Sequence, residues 1–185
     1  MDAISENKAV GMLSELLALK CGYSPEKARQ IKIAAVLHDC GKKYIPKHIR
    51  DKPDKLTAYE FNTMKNHTKI GFDMLASLQG ELGEMARMVS IYHHEHWRGQ
   101  GYWGVPSCTL PRYVGIVSIC DVFISLLNKR VYKAPWSPEE ALEYIRDRAG
   151  TQFCPDLTDA FTSLVRHDTR VAAIIRNFQE VSNDG

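Results

Sequence analysis

Apolar residues recur every three or four positions through most of the chain, the period of one face of a helix. Val10, Leu13, Leu16 and Leu17 trace the first such face, which ends near Cys21-Gly22. Ser24-Pro25-Glu26 then offers an N-cap, a first-turn proline and an acid suited to the positive end of a helix dipole. The second helix runs through Ile31, Ala34, Ala35 and Leu37 to His38-Asp39, with Gly41 as its stop. Residues 42–56 contain Pro46, Pro53 and a basic stretch from Lys42-Lys43 to Lys55, and read as a loop with one short helical turn. Thr57 and Glu60 form a capping box that opens a helix carrying Met64, His67, Gly71 and Leu75. Another helix is expected over about 81–94, with Met85, Met88, Val89 and Tyr92 on its apolar side and His93-His94-Glu95 at its end. Periodicity fails over 96–110, where Gly99, Gly101, Gly104 and Pro106 mix with Trp97, Tyr102 and Trp103. A glycine- and aromatic-rich stretch of that kind reads as a binding loop. Pro111 opens a strongly apolar helix through Val114, Val117, Asp121 and Leu126. A second capping box, Ser137 with Glu140, starts a helix to about Gly150, and two last helices lie near 156–167 and 169–181.

The pattern predicts an all-α fold: one domain over 1–185, a bundle of about eight helices, with no internal repeat and no linker. The 185 residues are enough to bury a core without disulfides or structural zinc. Composition, 44% apolar and 25% charged, is that of an ordinary soluble protein, and a net charge of +2 argues against a nucleic acid polymer as partner. Cys21, Cys40, Cys108, Cys120 and Cys154 are odd in number and form no Cys-x-x-Cys pair, so reduced, mostly buried thiols in the cytoplasm are expected. The N-terminus shows no basic-then-apolar leader, and no apolar run approaches the roughly 20 residues a membrane helix needs, so no membrane insertion is expected.

Against that background one ordered series of polar side chains stands out: His38-Asp39, His67, His93-His94 and Asp121. Asp121 lies between Cys120 and Val122 in one of the most apolar helices, and Asp39 follows Ala34-Ala35-Val36-Leu37. A carboxylate so placed costs several kcal/mol unless it is paired or metal-bound. No Arg or Lys is spaced to supply the counter-charge to Asp121. Imidazole and carboxylate together suit a divalent transition metal. Neighbours on a helix point about 100° apart, so His38 and Asp39 should reach different ions, or Asp39 should bridge two while His38 binds one; His93-His94 poses the same geometry. Two ions offset by two carboxylates leave a positive pocket suited to a phosphodiester. His48, His96 and His167 take the ordinary reading of packed or surface residues.

The chain resembles the HD-GYP family. The resemblance rests on His38-Asp39-Cys40-Gly41-Lys42, Lys52-Pro53 with Leu56-Thr57, Met64-Lys65-Asn66-His67 with Gly71, and His93-His94-Glu95 with Trp97 and Gly99-Gln100-Gly101-Tyr102. It continues in Asp121 with Arg130-Val131-Tyr132-Lys133, in Ser137-Pro138-Glu139-Glu140-Ala141, and in Gly150-Thr151-Gln152-Phe153 with Pro155 and Ala160-Phe161, covering about residues 8–165. It implies an all-α, HD-domain-like, metal-dependent phosphodiesterase that opens cyclic di-GMP or a related cyclic dinucleotide to pGpG or GMP through a metal-bridging hydroxide. One ion would be held by His38, Asp39 and Asp121, and a second by Asp39, His67, His93 and His94. Fe or Mn is favoured, with Zn, Ni and Co also suited to these ligands. Asp39 and Lys42 are the expected catalytic residues, with Lys42 meeting the substrate phosphate; Tyr102 and Arg130 are expected to bind substrate.

This chain departs from the family pattern at several positions. Glu6 stands where the family carries an early ligand histidine, and is the candidate replacement ligand. Arg98 replaces an acid, Trp103 the proline of Gly-Tyr-Pro, Gly115 an arginine and Ile124 an aspartate. Two further functions stay consistent with a drifted substrate shell. One is a signalling module that binds nucleotide or metal and acts through contacts with diguanylate cyclase or other signalling domains. The other is a different HD-type hydrolase acting on a nucleotide monophosphate or another phosphoester.

Overall fold

A computed structural model of the chain holds, among its described residues, nine helices, in chain order α1 (Glu6–Lys20), α2 (Pro25–Leu37), α3 (Lys47–Arg50), α4 (Ala58–Met74), α5 (Gly80–Tyr92), α6 (Arg112–Leu127), α7 (Pro138–Arg146), α8 (Pro155–His167) and α9 (Thr169–Asn183). It describes residues 4–128 and 136–183, apart from the side chains of 181–183. Eight of these are the helices expected from the periodicity; the ninth, α3, is the single turn in the basic loop. The described residues contain no strand, only one isolated bridge between Ala149 and Phe153.

Local chemistry sets the boundaries. Ser24 accepts from the Lys27 amide, with Pro25 in the first turn of α2. Both capping boxes form: Thr57 with Glu60 opens α4, and Ser137 with Glu140 opens α7. Two ends fall short of expectation. α5 stops at Tyr92 rather than at the histidine pair, and α7 stops at Arg146, four residues before Gly150. After Arg146 the amides of Thr151, Gln152 and Phe153 all turn back to the Arg148 carbonyl, a local loop that replaces a further helical turn.

α1 packs against α2, α6, α8 and α9, α2 also meets α5, and α4 lies on α5 and on the short 3₁₀ turn Cys40–Tyr44. Leu13, Leu17, Ile31, Met85, Ile116, Ile119, Phe123, Ile124 and Phe161 are buried where these faces meet. Burial of each such side chain is worth about 1.5–3 kcal/mol. The thiols depart from expectation: Cys120 alone is fully buried, Cys21, Cys40 and Cys154 are partly exposed, and Cys108 is exposed. No described helix is long and apolar enough to cross a membrane.

Gly41 fixes how closely α4 approaches the Cys40–Tyr44 turn. A Cβ there would lie 2.0 Å from the His67 carbonyl oxygen and 2.7 Å from the Gly71 amide. Only a residue without a side chain allows that backbone contact. Ser90 of α5 completes the junction by donating to the His38 carbonyl at 3.2 Å. Three stretches of chain thus meet where the histidines sit.

Candidate metal centre

His38 and Asp39 leave α2 just as its hydrogen-bond ladder ends. Asp39 has φ −102° and ψ 12°, outside helical geometry, so the 100° separation expected of helical neighbours does not apply to it. Its Oδ2 instead lies 3.0 Å from His38 Nε2. His93 and His94 follow the last residue of α5, His93 still with helical φ −63° and ψ −16°, and their ring centroids lie 4.0 Å apart. α4 supplies His67 and α6 supplies Asp121.

The ring orientations are set from behind. His38 Nδ1 bonds the Ala35 carbonyl at 2.6 Å, His67 Nδ1 the Met64 carbonyl at 2.7 Å, and His93 Nδ1 the Ser90 carbonyl at 3.0 Å. A carbonyl only accepts, so Nδ1 carries a proton in each ring and Nε2 is the nitrogen turned inward. His67 and His93 Nε2 are 3.5 Å apart. His67 Nε2 is 3.2 Å, and His93 Nε2 3.7 Å, from Asp39 Oδ1; His38 Nε2 is 3.3 Å from Asp121 Oδ1. His38 Nε2 and Asp39 Oδ1 are buried without a hydrogen-bond partner among the described residues. Buried polar atoms are seldom left so. Backbone-anchored imidazoles of this kind are the usual ligands of a transition metal, so the donor set fits divalent cations.

Two groups of ligand atoms lie within 4.8 Å of one another: Asp39, His67, His93 and His94, and then His38, His93 and Asp121. His93 is common to both, a place the family resemblance gave to Asp39. Charge follows the geometry. Burial opposes a charge on His38, but the carboxylates of Asp39 and Asp121 outweigh it and lift its pKa well above the ordinary 6.5. Burial, reinforced by neighbouring histidines, holds His93 well below 6.5 and takes His94 to about 4. Asp39 and Asp121, despite burial, are held below the usual aspartate range, chiefly by His38. The site is therefore a pair of ionised acids among imidazoles that stay unprotonated at His93 and His94.

Lys42 bonds Asp39 Oδ2, and that carboxylate outweighs burial to keep the ammonium charged. The basic loop thus supplies a cation that helical spacing alone did not reveal. Tyr102 lies against His94 with ring centroids 4.3 Å apart, and burial pushes its hydroxyl up to about 12, keeping it a proton donor. Glu6 opens α1 at the edge of the cluster rather than within either ligand group. Its carboxylate accepts from Asn128 at 3.1 Å, and burial raises its pKa. Arg130 lies outside the described residues. Gly115 faces Leu157 and Ile124 is buried in the apolar core, so these two departures lie in the packing rather than at the cluster. His48 and His167 are exposed and His96 is partly buried.

Sequence reasoning gave Glu95 no role. It is buried and accepts from the Trp103 amide at 2.6 Å and the Val105 amide at 2.9 Å, which folds the glycine-rich loop over the cluster. Gly101 is required at that crossing: its Cβ would stand 2.4 Å from the His94 carbonyl oxygen. The available signal was an acid directly after the histidine pair and before a loop rich in free amides.

A family profile described as "HD domain" matches residues 2–157. The chain is 37% identical over 168 residues to the cyclic di-GMP phosphodiesterase response regulator RpfG of Xanthomonas campestris pv. campestris, covering 90% of this chain and 44% of that protein. It is 36% identical over 172 residues to a cyclic di-GMP phosphodiesterase of Thermotoga maritima, covering 92% of this chain and 47% of that one. The chain thus spans less than half the length of these relatives. Among solved structures it is similar to Bd1817, an HDG"Y"P protein from Bdellovibrio bacteriovorus, with a TM-score of 0.69, 17% identity, and coverage of 87% of this chain and 51% of that one. That last likeness concerns the fold.

Proposed function

The chain belongs to the HD domain family, as a divergent member of its HD-GYP group, and from that premise we propose that it is a metal-dependent phosphodiesterase opening cyclic di-GMP or a related cyclic dinucleotide to pGpG or GMP. Residues 1–185 act in this reading as one HD-type domain. The observation that carries the proposal is the convergence of backbone-anchored Nε2 atoms and two carboxylates on one buried point.

His38, Asp39, His67, His93, His94 and Asp121 would hold two divalent ions, of iron or manganese by preference and with zinc, nickel or cobalt also compatible. Such ions supply Lewis acidity toward a phosphate and lower the pKa of water. The chain's own residues do the rest. Lys42 sits beside Asp39 with its side chain 41% exposed, close enough to the acids to stay charged and open enough to meet a phosphate oxygen. Tyr102 closes one side of the cluster and excludes water from the His94 face, with its hydroxyl protonated. Glu95 keeps the loop that carries Tyr102 in place. Glu6 adds a carboxylate at the rim, available to one of the two ions. The relatives named for cyclic di-GMP hydrolysis support the substrate class.

The test is turnover of cyclic di-GMP by protein loaded anaerobically with iron(II) or with manganese(II), against a chelated control. The expected result is pGpG or GMP in the loaded samples only. Binding without product, or product from a nucleotide monophosphate alone, would overturn it.

A further inference from the structure

The outward face of α4, next to the cluster, carries side chains that folding does not need. Tyr59 is 78% exposed and Phe61 41% exposed, both at the open end of the helix nearest the loop that holds Tyr102 and Trp103. Tyr59, Asn62, Thr63 and Asn66 fall at i, i+3, i+4 and i+7, one stripe of the helix. Together with Lys65 and Trp103 they line a groove of about 460 Å³, within the size range of small-ligand sites. The Trp103 wall is held firmly: its Nε1 donates to Thr68 Oγ1 at 3.2 Å, and Lys69 Nζ stands 3.9 Å from the ring centroid. The groove lies beside the metal centre, with Lys65 and Tyr102 between them. Asn66 is the residue before His67, and Lys65 donates to the Tyr102 carbonyl at 3.4 Å and lies 5.4 Å from its ring. Tyr102 in turn packs on His94.

We infer that this groove receives one nucleobase of a cyclic dinucleotide whose phosphodiester lies at the histidine–aspartate cluster. The inference rests on the phosphodiesterase reading above and names the side chains that give it base preference. Tyr59 offers an exposed aromatic face for stacking. The carboxamides of Asn62 and Asn66 carry both donors and an acceptor for a base edge. Lys65 brings an ammonium to the acceptor side, a pairing suited to guanine O6 and N7. Trp103 stands where the family pattern has proline and supplies the aromatic wall of the groove.

The experiment uses the metal-loaded protein and phosphorothioate analogues of cyclic di-GMP and cyclic di-AMP, which resist hydrolysis, with binding followed by calorimetry. Tyr59→Ala should weaken binding of both about 5- to 100-fold, the range of a lost base–aromatic stack. The double variant Asn62→Ala/Asn66→Ala should weaken cyclic di-GMP more than cyclic di-AMP, shrinking the ratio between them. All three side chains are exposed, so unchanged melting temperatures verify folding. Dissociation constants within twofold of wild type, or equal losses for both ligands in the asparagine variant, would overturn the inference. Wild-type hydrolysis of bis(p-nitrophenyl) phosphate, a diester without bases, separates the two claims. If that activity is present and neither dinucleotide binds, the groove assignment fails while the phosphodiesterase reading stands.

Discussion

Asp39 carries more of the site than any other residue. Its two oxygens face His38, His67, His93 and Lys42, so its removal takes from the cluster the one carboxylate next to three ring nitrogens and an ammonium. Asp39→Ala is expected to abolish metal loading and hydrolysis while leaving helical content intact, as read by elemental analysis, product assay and far-ultraviolet circular dichroism. Metal content equal to wild type would remove Asp39 from the centre. Glu6 predicts a partial effect, because its carboxylate touches Asn128 at the rim of the cluster. Glu6→Ala should lower occupancy of one ion and spare the other; equal loading of both would make it a spectator. The six histidine and aspartate positions were legible in the sequence because ionised acids in apolar helices demand counter-charge, and that demand needs no coordinates to state. The Lys42–Asp39 pair and the Glu95 clamp were not legible. The first is an i,i+3 contact across the 3₁₀ turn Cys40–Tyr44, which apolar periodicity does not mark, and the second depends on a loop folding back over Glu95.

At the scale of elements, the histidine pairs work because the helices stop. His38-Asp39 and His93-His94 follow the last residues of α2 and α5; His38 and His93 keep helical dihedrals while Asp39 leaves them, and His38 and Asp39 fall in different ligand groups. Glycine lets the elements close on the cluster. Gly41→Ala would push α4 off the Cys40–Tyr44 turn and cost about 1–3 kcal/mol of stability, as overpacking does. The thermal midpoint should fall by about 2–4 °C per kcal/mol, and metal affinity should fall with it because His67 moves. An unchanged midpoint would contradict the contact. The start of α4 gives a pH signature. Hydrogen bonds from Lys52 and from the Thr57 amide lower Glu60 from the ordinary 4.5 to about 2. A depressed carboxylate pKa adds stability above the unfolded value and loses it as pH falls through the folded one. Stability of the wild type should therefore decline between about pH 4.5 and 2 by more than that of Glu60→Gln, measured by chemical unfolding across that range. Parallel curves would show that the ionised Glu60 carboxylate and its pairing with Lys52 contribute nothing.

In the molecule as a whole, α1, α2 and α6 build a core of ordinary apolar packing, and α4 and α5 are laid across it so that one buried point collects side chains from four places in the chain. The all-α class and eight of the helices follow from apolar periodicity and caps. How those helices pack is a tertiary matter, set by glycine contacts and by Ser90 reaching the His38 carbonyl. Sequence resemblance places the chain in its family, and the geometry shows how its candidate ligand side chains come together. The most direct test of the central claim is metal content per chain, by elemental mass spectrometry on protein loaded anaerobically and freed of loose ions. Two divalent ions per wild-type chain, falling to near zero in Asp39→Ala, is the predicted result. A wild-type protein that retains no stoichiometric metal would contradict it.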